Sequence, residues 1–152
     1  MAITRVARAA WQGDLLRGRG TVTFVSSGIG DFAVSWPAQA ESPKGLTTPA
    51  ELIAAAQASC FSITLAHGLT KAGSPPRRLE ARAEVVVEDL AAGDTAPDTV
   101  ATIHLTVHGD VPGLDEDGFV KAAEDAKANC PVCQALSGTT ILLTAVLSDP
   151  AV

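Results

Sequence analysis

The sequence predicts an α+β fold, and three observations carry the prediction. Short segments rich in β-branched and aromatic residues, separated by glycine, fill the first 36 residues; the stretch from Thr48 to Gly73 has the marks of one long helix; and alternation of apolar and polar residues returns twice between Leu79 and Val107. Strands, then a helix, then strands and helices again suit a single domain spanning 1–152, a length that allows a real hydrophobic core. The chain contains no internal repeat, low-complexity tract or linker.

The elements follow in order. Ile3 to Trp11, Gly20 to Ser26 and Asp31 to Trp36 are expected as three strands of an antiparallel meander, with glycines at 13, 18, 20, 28 and 30 between or beside them where hairpin turns need positive φ. Pro37 to Thr47 is expected as a loop of small and polar residues. Thr48-Pro49-Ala50-Glu51 then forms a capping box with proline at the first helical position, and Gly73 supplies the stop. Ser74-Pro75-Pro76 prevents the helix from continuing.

Leu79 to Leu90 alternates as a strand with Ala83, Val85 and Val87 on one face, Ala91 to Pro97 is a turn, and Thr99 to Val107 alternates again, so the two strands form a hairpin. Leu114 to Ala128 is a second helix, acidic at its start (Asp115, Glu116, Asp117) and closing with Lys127, an arrangement that suits the helix dipole. Pro131 restarts a short helix through Leu136, which places Cys130 at its N-terminus. Thr139 to Leu147 is a final strand.

The long helix organises the rest. No formal charge lies between Leu52 and Thr70, and Ile53, Phe61, Ile63, Leu65 and Leu69 with many alanines leave no wide polar face. A helix apolar all round is buried on every side. At about 1.5 Å per residue it runs roughly 36 Å, more than a domain of this size easily wraps alone, which points to a second copy of the chain. A membrane span is the rival reading, and Gln57, Ser59, Ser62, Thr64 and His67 together with the capped ends argue against it.

A net charge of −6 without clustered Lys and Arg argues against a nucleic-acid partner. Met1 to Trp11 carries Arg5 and Arg8 but no apolar segment of the signal-peptide kind, so a cytoplasmic protein is expected. Three cysteines, an odd number, fit a disulfide framework poorly and reactive thiols or metal ligands better. A zinc site would need Cys60 and a histidine in addition to Cys130 and Cys133, and His67, His104 and His108 have no arrangement that forces a role. Cys60 lies within the apolar helix, where desolvation raises a thiol pKa unless a cation or donor lowers it. Cys130-Pro131-Val132-Cys133 is a C-x-x-C; a helix precedes it, which disagrees with a thioredoxin-like βαβ setting.

Trp11-Gln12-Gly13-Asp14-Leu15 before a Gly-Arg-Gly turn, Pro49-Ala50-Glu51-Leu52-Ile53 leading to Ala58-Ser59-Cys60-Phe61-Ser62, and Asn129-Cys130-Pro131-Val132 resemble the OsmC/Ohr family of osmotically inducible and organic hydroperoxide resistance proteins, in its OsmC branch. The resemblance covers nearly the whole chain. It implies an antiparallel sheet wrapped around long central helices in an intertwined homodimer, with the active site at the interface. It further implies a peroxidase of organic hydroperoxides in which Cys60 is the peroxidatic thiolate and Cys130 condenses with its sulfenic acid to a disulfide. A lipoyl-type dithiol would reduce that disulfide, with neither metal nor organic cofactor.

The sequence departs from the family at two positions. The family's Arg falls where this chain has Gln39, and its Glu where this chain has Ala50, with Glu51 one residue later and most simply the capping-box residue. The two changes are consistent with each other, since a buried Glu without its Arg is an uncompensated charge worth several kcal/mol. Arg17 and Arg19, in a turn that the family places near the site, are the candidate replacement cations. Cys133 stands where the family often carries Ser. Two other functions therefore stay open beside the peroxidase: a non-catalytic member that binds a small hydrophobic ligand, and a dithiol redox protein that uses Cys130 and Cys133.

Overall fold

The computed structural model describes residues 1–88 and 99–148. The expected turn at Ala91 to Pro97, and the end of the strand expected to reach Leu90, lie outside the described residues. Within them the chain packs as two compact units, residues 1–52 and residues 53–88 with 99–148.

The first unit is built on a three-stranded antiparallel meander of β1 (Arg8–Gln12), β2 (Arg19–Thr23) and β3 (Asp31–Val34). All three strands are shorter than the sequence suggests. The β1–β2 register runs from Gln12↔Arg19 to Arg8↔Thr23 and stops; beyond it Val6 and Ser26 are joined by isolated bonds, the Val6 N–H donating to Ser26 Oγ at 2.6 Å and the Ser26 N–H to the Val6 carbonyl at 3.1 Å. Gly20 is paired in β2 rather than turning the chain. A Cβ there would come within 2.8 Å of Trp11 and 2.7 Å of Val34, so glycine is required by the close approach of its neighbours.

The expected loop contains a helical turn, α1 (Trp36–Ala40). Ser35 accepts the Ala38 N–H at 3.2 Å and Pro37 lies in the first turn, a cap-then-proline signal that the short length of the segment obscured.

The first turn of α2 (Pro49–Lys71) belongs to this unit. Thr48 Oγ1 accepts the Glu51 N–H at 3.1 Å, while the Glu51 carboxylate takes the Thr47 hydroxyl at 2.9 Å, so the capping box is half formed. At the other end Gly73 has φ +84°, the Ser74 N–H donates to the Leu69 carbonyl at 2.9 Å and the Gly73 N–H to the Thr70 carbonyl at 3.1 Å. This is a Schellman stop, available because glycine has no Cβ to clash at positive φ.

The second unit joins the rest of α2 to β4 (Arg78–Glu88), β5 (Thr99–Asp110), α3 (Glu116–Asn129), α4 (Pro131–Ala135) and β6 (Thr140–Leu147). β4 and β5 pair antiparallel, as the alternation predicts, with a bulge at Val86/Val87. β6 joins β5 in parallel, a direction that its own alternation does not specify.

The core is the meeting of α2, the sheet and α3: Phe61, Leu65 and Leu69 pack with Leu105, Val107, Phe119 and Ala123, and Cys130 and Cys133 complete the cluster. Phe119 approaches β5 so closely that a Cβ on Gly109 would run into its ring. Asp115 caps α3 by accepting the Gly118 N–H at 2.8 Å.

In a single chain α2 is buried along one stripe, Gln57, Phe61, Leu65 and Leu69, rather than on every side. The four-residue spacing lays these side chains above one another, and Ile63 on the other face is 72% exposed. By length and composition α2 could also cross a membrane, yet its buried stripe packs against protein.

Candidate active site

The second unit brings together all three cysteines. Cys60 projects from the middle of α2, partly buried; Cys130 is the residue between α3 and α4, fully buried; Cys133 lies in α4, 5% exposed. All three are free thiols.

Burial pushes the Cys60 thiol above its ordinary pKa. The backbone N–H of Val132 hydrogen-bonds the sulfur and pulls the other way, favouring the thiolate. The neighbouring Cys130 thiol adds to the rise through a hydrogen bond and its own charge. Thr64 contributes least, in the direction of the thiolate, and its hydroxyl also donates to the Cys60 carbonyl at 2.9 Å. Within this unit, and among the described residues, none of the groups acting on the thiol is a cation.

Cys130 Sγ also accepts the Cys133 N–H at 3.5 Å, as the side chain that caps α4. Cys133 Sγ in turn accepts the side-chain N–H of Gln57 at 2.8 Å. Gln57 is fully buried, and its Oε1 has no hydrogen-bond partner among the described residues. Sequence reasoning noted Gln57 only as a polar interruption of the helix and passed over Val132. The available signal was a lone amide three residues before Cys60, at four-residue spacing from Phe61, Leu65 and Leu69.

Cys133 also lines a shallow cavity of about 430 Å³ with Lys127, Gln134, Ser137, Thr139 and Ile141. His104 and His108 are both on the exposed face of β5, and His67 is exposed on α2.

The remaining candidates belong to the first unit. Arg17 is in the turn after β1, where the Asp14 carboxylate accepts its backbone N–H at 2.8 Å, and Arg19 opens β2. Neither guanidinium forms an ion pair among the described residues, whose ion pairs are Arg78–Glu80, Arg82–Glu84 and Lys121–Asp125. Both arginines line a cavity of about 280 Å³ walled mainly by Leu16, Val34, Pro37 and Leu46. Gln39 lies in α1 with its Oε1 buried and without a partner among the described residues. Glu51 serves the helix start, and Ala50 offers no acid.

Comparison with known proteins finds relatives along nearly the whole chain. A family model described as OsmC-like protein matches residues 42–144. Peroxiredoxin OsmC of Escherichia coli (strain K12) is 36% identical over 142 residues, which cover 93% of this chain and 96% of that protein. Among solved structures, the organic hydroperoxide resistance protein OsmC of Legionella pneumophila superposes with a TM-score of 0.70 at 20% identity, covering 96% of this chain and 98% of that one. An OsmC-like protein of unknown function from Vibrio cholerae reaches a TM-score of 0.75 at 15% identity, covering 95% and 100%. At such identities the two structures establish the fold.

Proposed function

The chain belongs to the OsmC-like protein family, and on that premise we propose that it reduces organic hydroperoxides with Cys60 as the peroxidatic thiol and Cys130 as the resolving thiol. The observation that carries the reading is that Cys60 packs against the buried cluster that contains Cys130, seventy residues further along the chain; the Cys130 thiol and the Val132 N–H are also among the groups that act on the Cys60 sulfur.

The Cys60 thiolate attacks the hydroperoxide's terminal oxygen; the O–O bond breaks, the alkoxide leaves and takes up a proton, and Cys60 becomes a sulfenic acid. The Cys130 sulfur then attacks Cys60, water departs and a disulfide forms. A small dithiol of the lipoyl type returns both sulfurs to thiols by exchange. No step calls on a metal or organic cofactor.

Thiolate formation is the demanding step, because burial opposes it. Arg17 and Arg19 are the candidate cations, with Gln39 and Ala50 where the family carries its Arg and Glu. Free thiols suit a reducing compartment, and we place the protein in the cytoplasm. A homodimer accounts for the apolar face of α2 that a single chain leaves exposed.

The test is consumption of cumene hydroperoxide with dihydrolipoamide, comparing the native chain with Cys60→Ser and Cys130→Ser. Turnover in the native chain that disappears in Cys60→Ser is the expected result. Equal rates in both would overturn the proposal and favour the second reading, a binding protein for a small apolar ligand, for which the cavity walled by Leu16, Val34, Pro37 and Leu46 is the observation.

A further inference from the structure

We propose that Cys133 is a relay thiol: after Cys60 and Cys130 have joined, Cys133 attacks the Cys130 sulfur, and the disulfide moves to Cys130–Cys133, where the reductant reaches it. The inference rests on the peroxidase reading above and adds a third sulfur to it.

Three observations support it. Cys130 belongs to the buried cluster against which Cys60 packs, and its sulfur accepts the Cys133 N–H at 3.5 Å. The Cys133 sulfur is held in place by a buried donor, Gln57 Nε2 at 2.8 Å, whose Oε1 is unpartnered among the described residues. A half-turn of that amide would offer Oε1 to an S–H, so one side chain serves the sulfur both as a thiol and as an acceptor. Thirdly, Cys130 is fully buried, whereas Cys133 lines the cavity of about 430 Å³ with Lys127, Gln134 and Thr139. In a Cys130–Cys133 disulfide a dithiol must bring its sulfur to one end, and Cys133 is the end that the cavity presents.

The exchange balances without an added oxidant. Cys133 releases its proton and bonds to Cys130; the Cys60–Cys130 bond breaks, and Cys60 leaves as a thiolate that takes up a proton. A small dithiol then attacks Cys133, Cys130 leaves as a thiol, and the reductant's second sulfur closes its own disulfide and frees Cys133.

The experiment treats the full-length protein with one equivalent of cumene hydroperoxide, alkylates free thiols at a series of times and maps the disulfides by mass spectrometry. The expected sequence is a Cys60–Cys130 bridge first, then Cys130–Cys133 with Cys60 alkylated. In Cys133→Ser, and in Cys133→Ala should a buried hydroxyl disturb folding, the first bridge persists and its reduction by dihydrolipoamide slows by roughly an order of magnitude. A native protein that keeps Cys60–Cys130, with Cys133 alkylated throughout and no slowing in the variants, overturns the relay and leaves the peroxidase intact. A Cys130–Cys133 bridge formed by hydroperoxide in Cys60→Ser also overturns it, since the oxidant would then act on those cysteines directly. Three thiols untouched by hydroperoxide would sink the peroxidase and the relay together.

Discussion

Among the described residues the two sheets of this protein have the same number of strands and very different interiors. In the β1–β2–β3 sheet Gly20 is the buried strand residue, and Trp11 and Phe32 are more than two-fifths exposed; in β5 of the second sheet Ile103, Leu105 and Val107 are buried, the last two in one cluster with residues of α2 and α3. Three strands alone make a marginal structure, and a helix packed on one face changes that. The chemistry divides in the same way. The thiols lie in the unit with the dense core, while the candidate cations Arg17 and Arg19 lie in the sparsely buried one. A dense core holds sulfurs in fixed contact but raises the thiol pKa; an open sheet keeps guanidinium groups hydrated and unpaired.

Truncating one aromatic in each unit gives the largest expected effect. Phe119→Ala removes a fully buried ring and should lower stability by about 3–5 kcal/mol in urea titration. Phe32→Ala, with its ring 43% exposed, should cost less than about 1.5 kcal/mol. Similar losses would mean that the first sheet is as well covered as the second, which a second copy of the chain would bring about.

That second copy is testable by itself. Sedimentation at micromolar concentration should show a dimer for the native chain, and Ile63→Lys, which puts a charge on the exposed apolar face of α2, should shift it toward monomer. A native monomer would remove the dimer from the account.

The smallest effect concerns pH and sharpens the division between thiols and cations. Under the influence of its own unit the Cys60 thiol is raised, so its alkylation by iodoacetamide would inflect above the ordinary thiol value of about 8.5 and be slow at neutral pH. A working peroxidase needs the opposite. On the peroxidase reading the inflection in the native protein falls below that value, and Arg17→Ala or Arg19→Ala moves it upward. An inflection above the ordinary value, unchanged in both variants, would leave these arginines without a role.

Local chemistry made much of the fold legible in the sequence. The cap at Thr48, the Gly73 stop, the Asp115 start and Pro131 restart of the later helices, and the alternation in β4 and β5 each depend on residues within a few positions, so a reader of the chain finds them. The cysteine motifs likewise pointed to Cys60 and Cys130 and to the family. Strand ends near Ile3 and Ser26 were overextended because a ladder stops where its partner stops, and the partner is not written in the strand itself. The parallel pairing of β6 depended on where two helices return the chain. Burial of one stripe of α2, when its composition is apolar all round, depended on how much cover a single chain can supply.

The sequence by itself determined which residues could do chemistry: three thiols and, by the family resemblance, Gln39 and Ala50 where an arginine and a glutamate were expected. The tertiary structure alone decided which of them touch. It packed Cys60 against the cluster that holds Cys130, turned a glutamine from α2 onto the Cys133 sulfur and let the Val132 N–H act on Cys60. Contacts of this kind join residues seventy or more positions apart, and they exist because the packing of α2 against α3, α4 and the sheet leaves each buried polar group few partners to choose from.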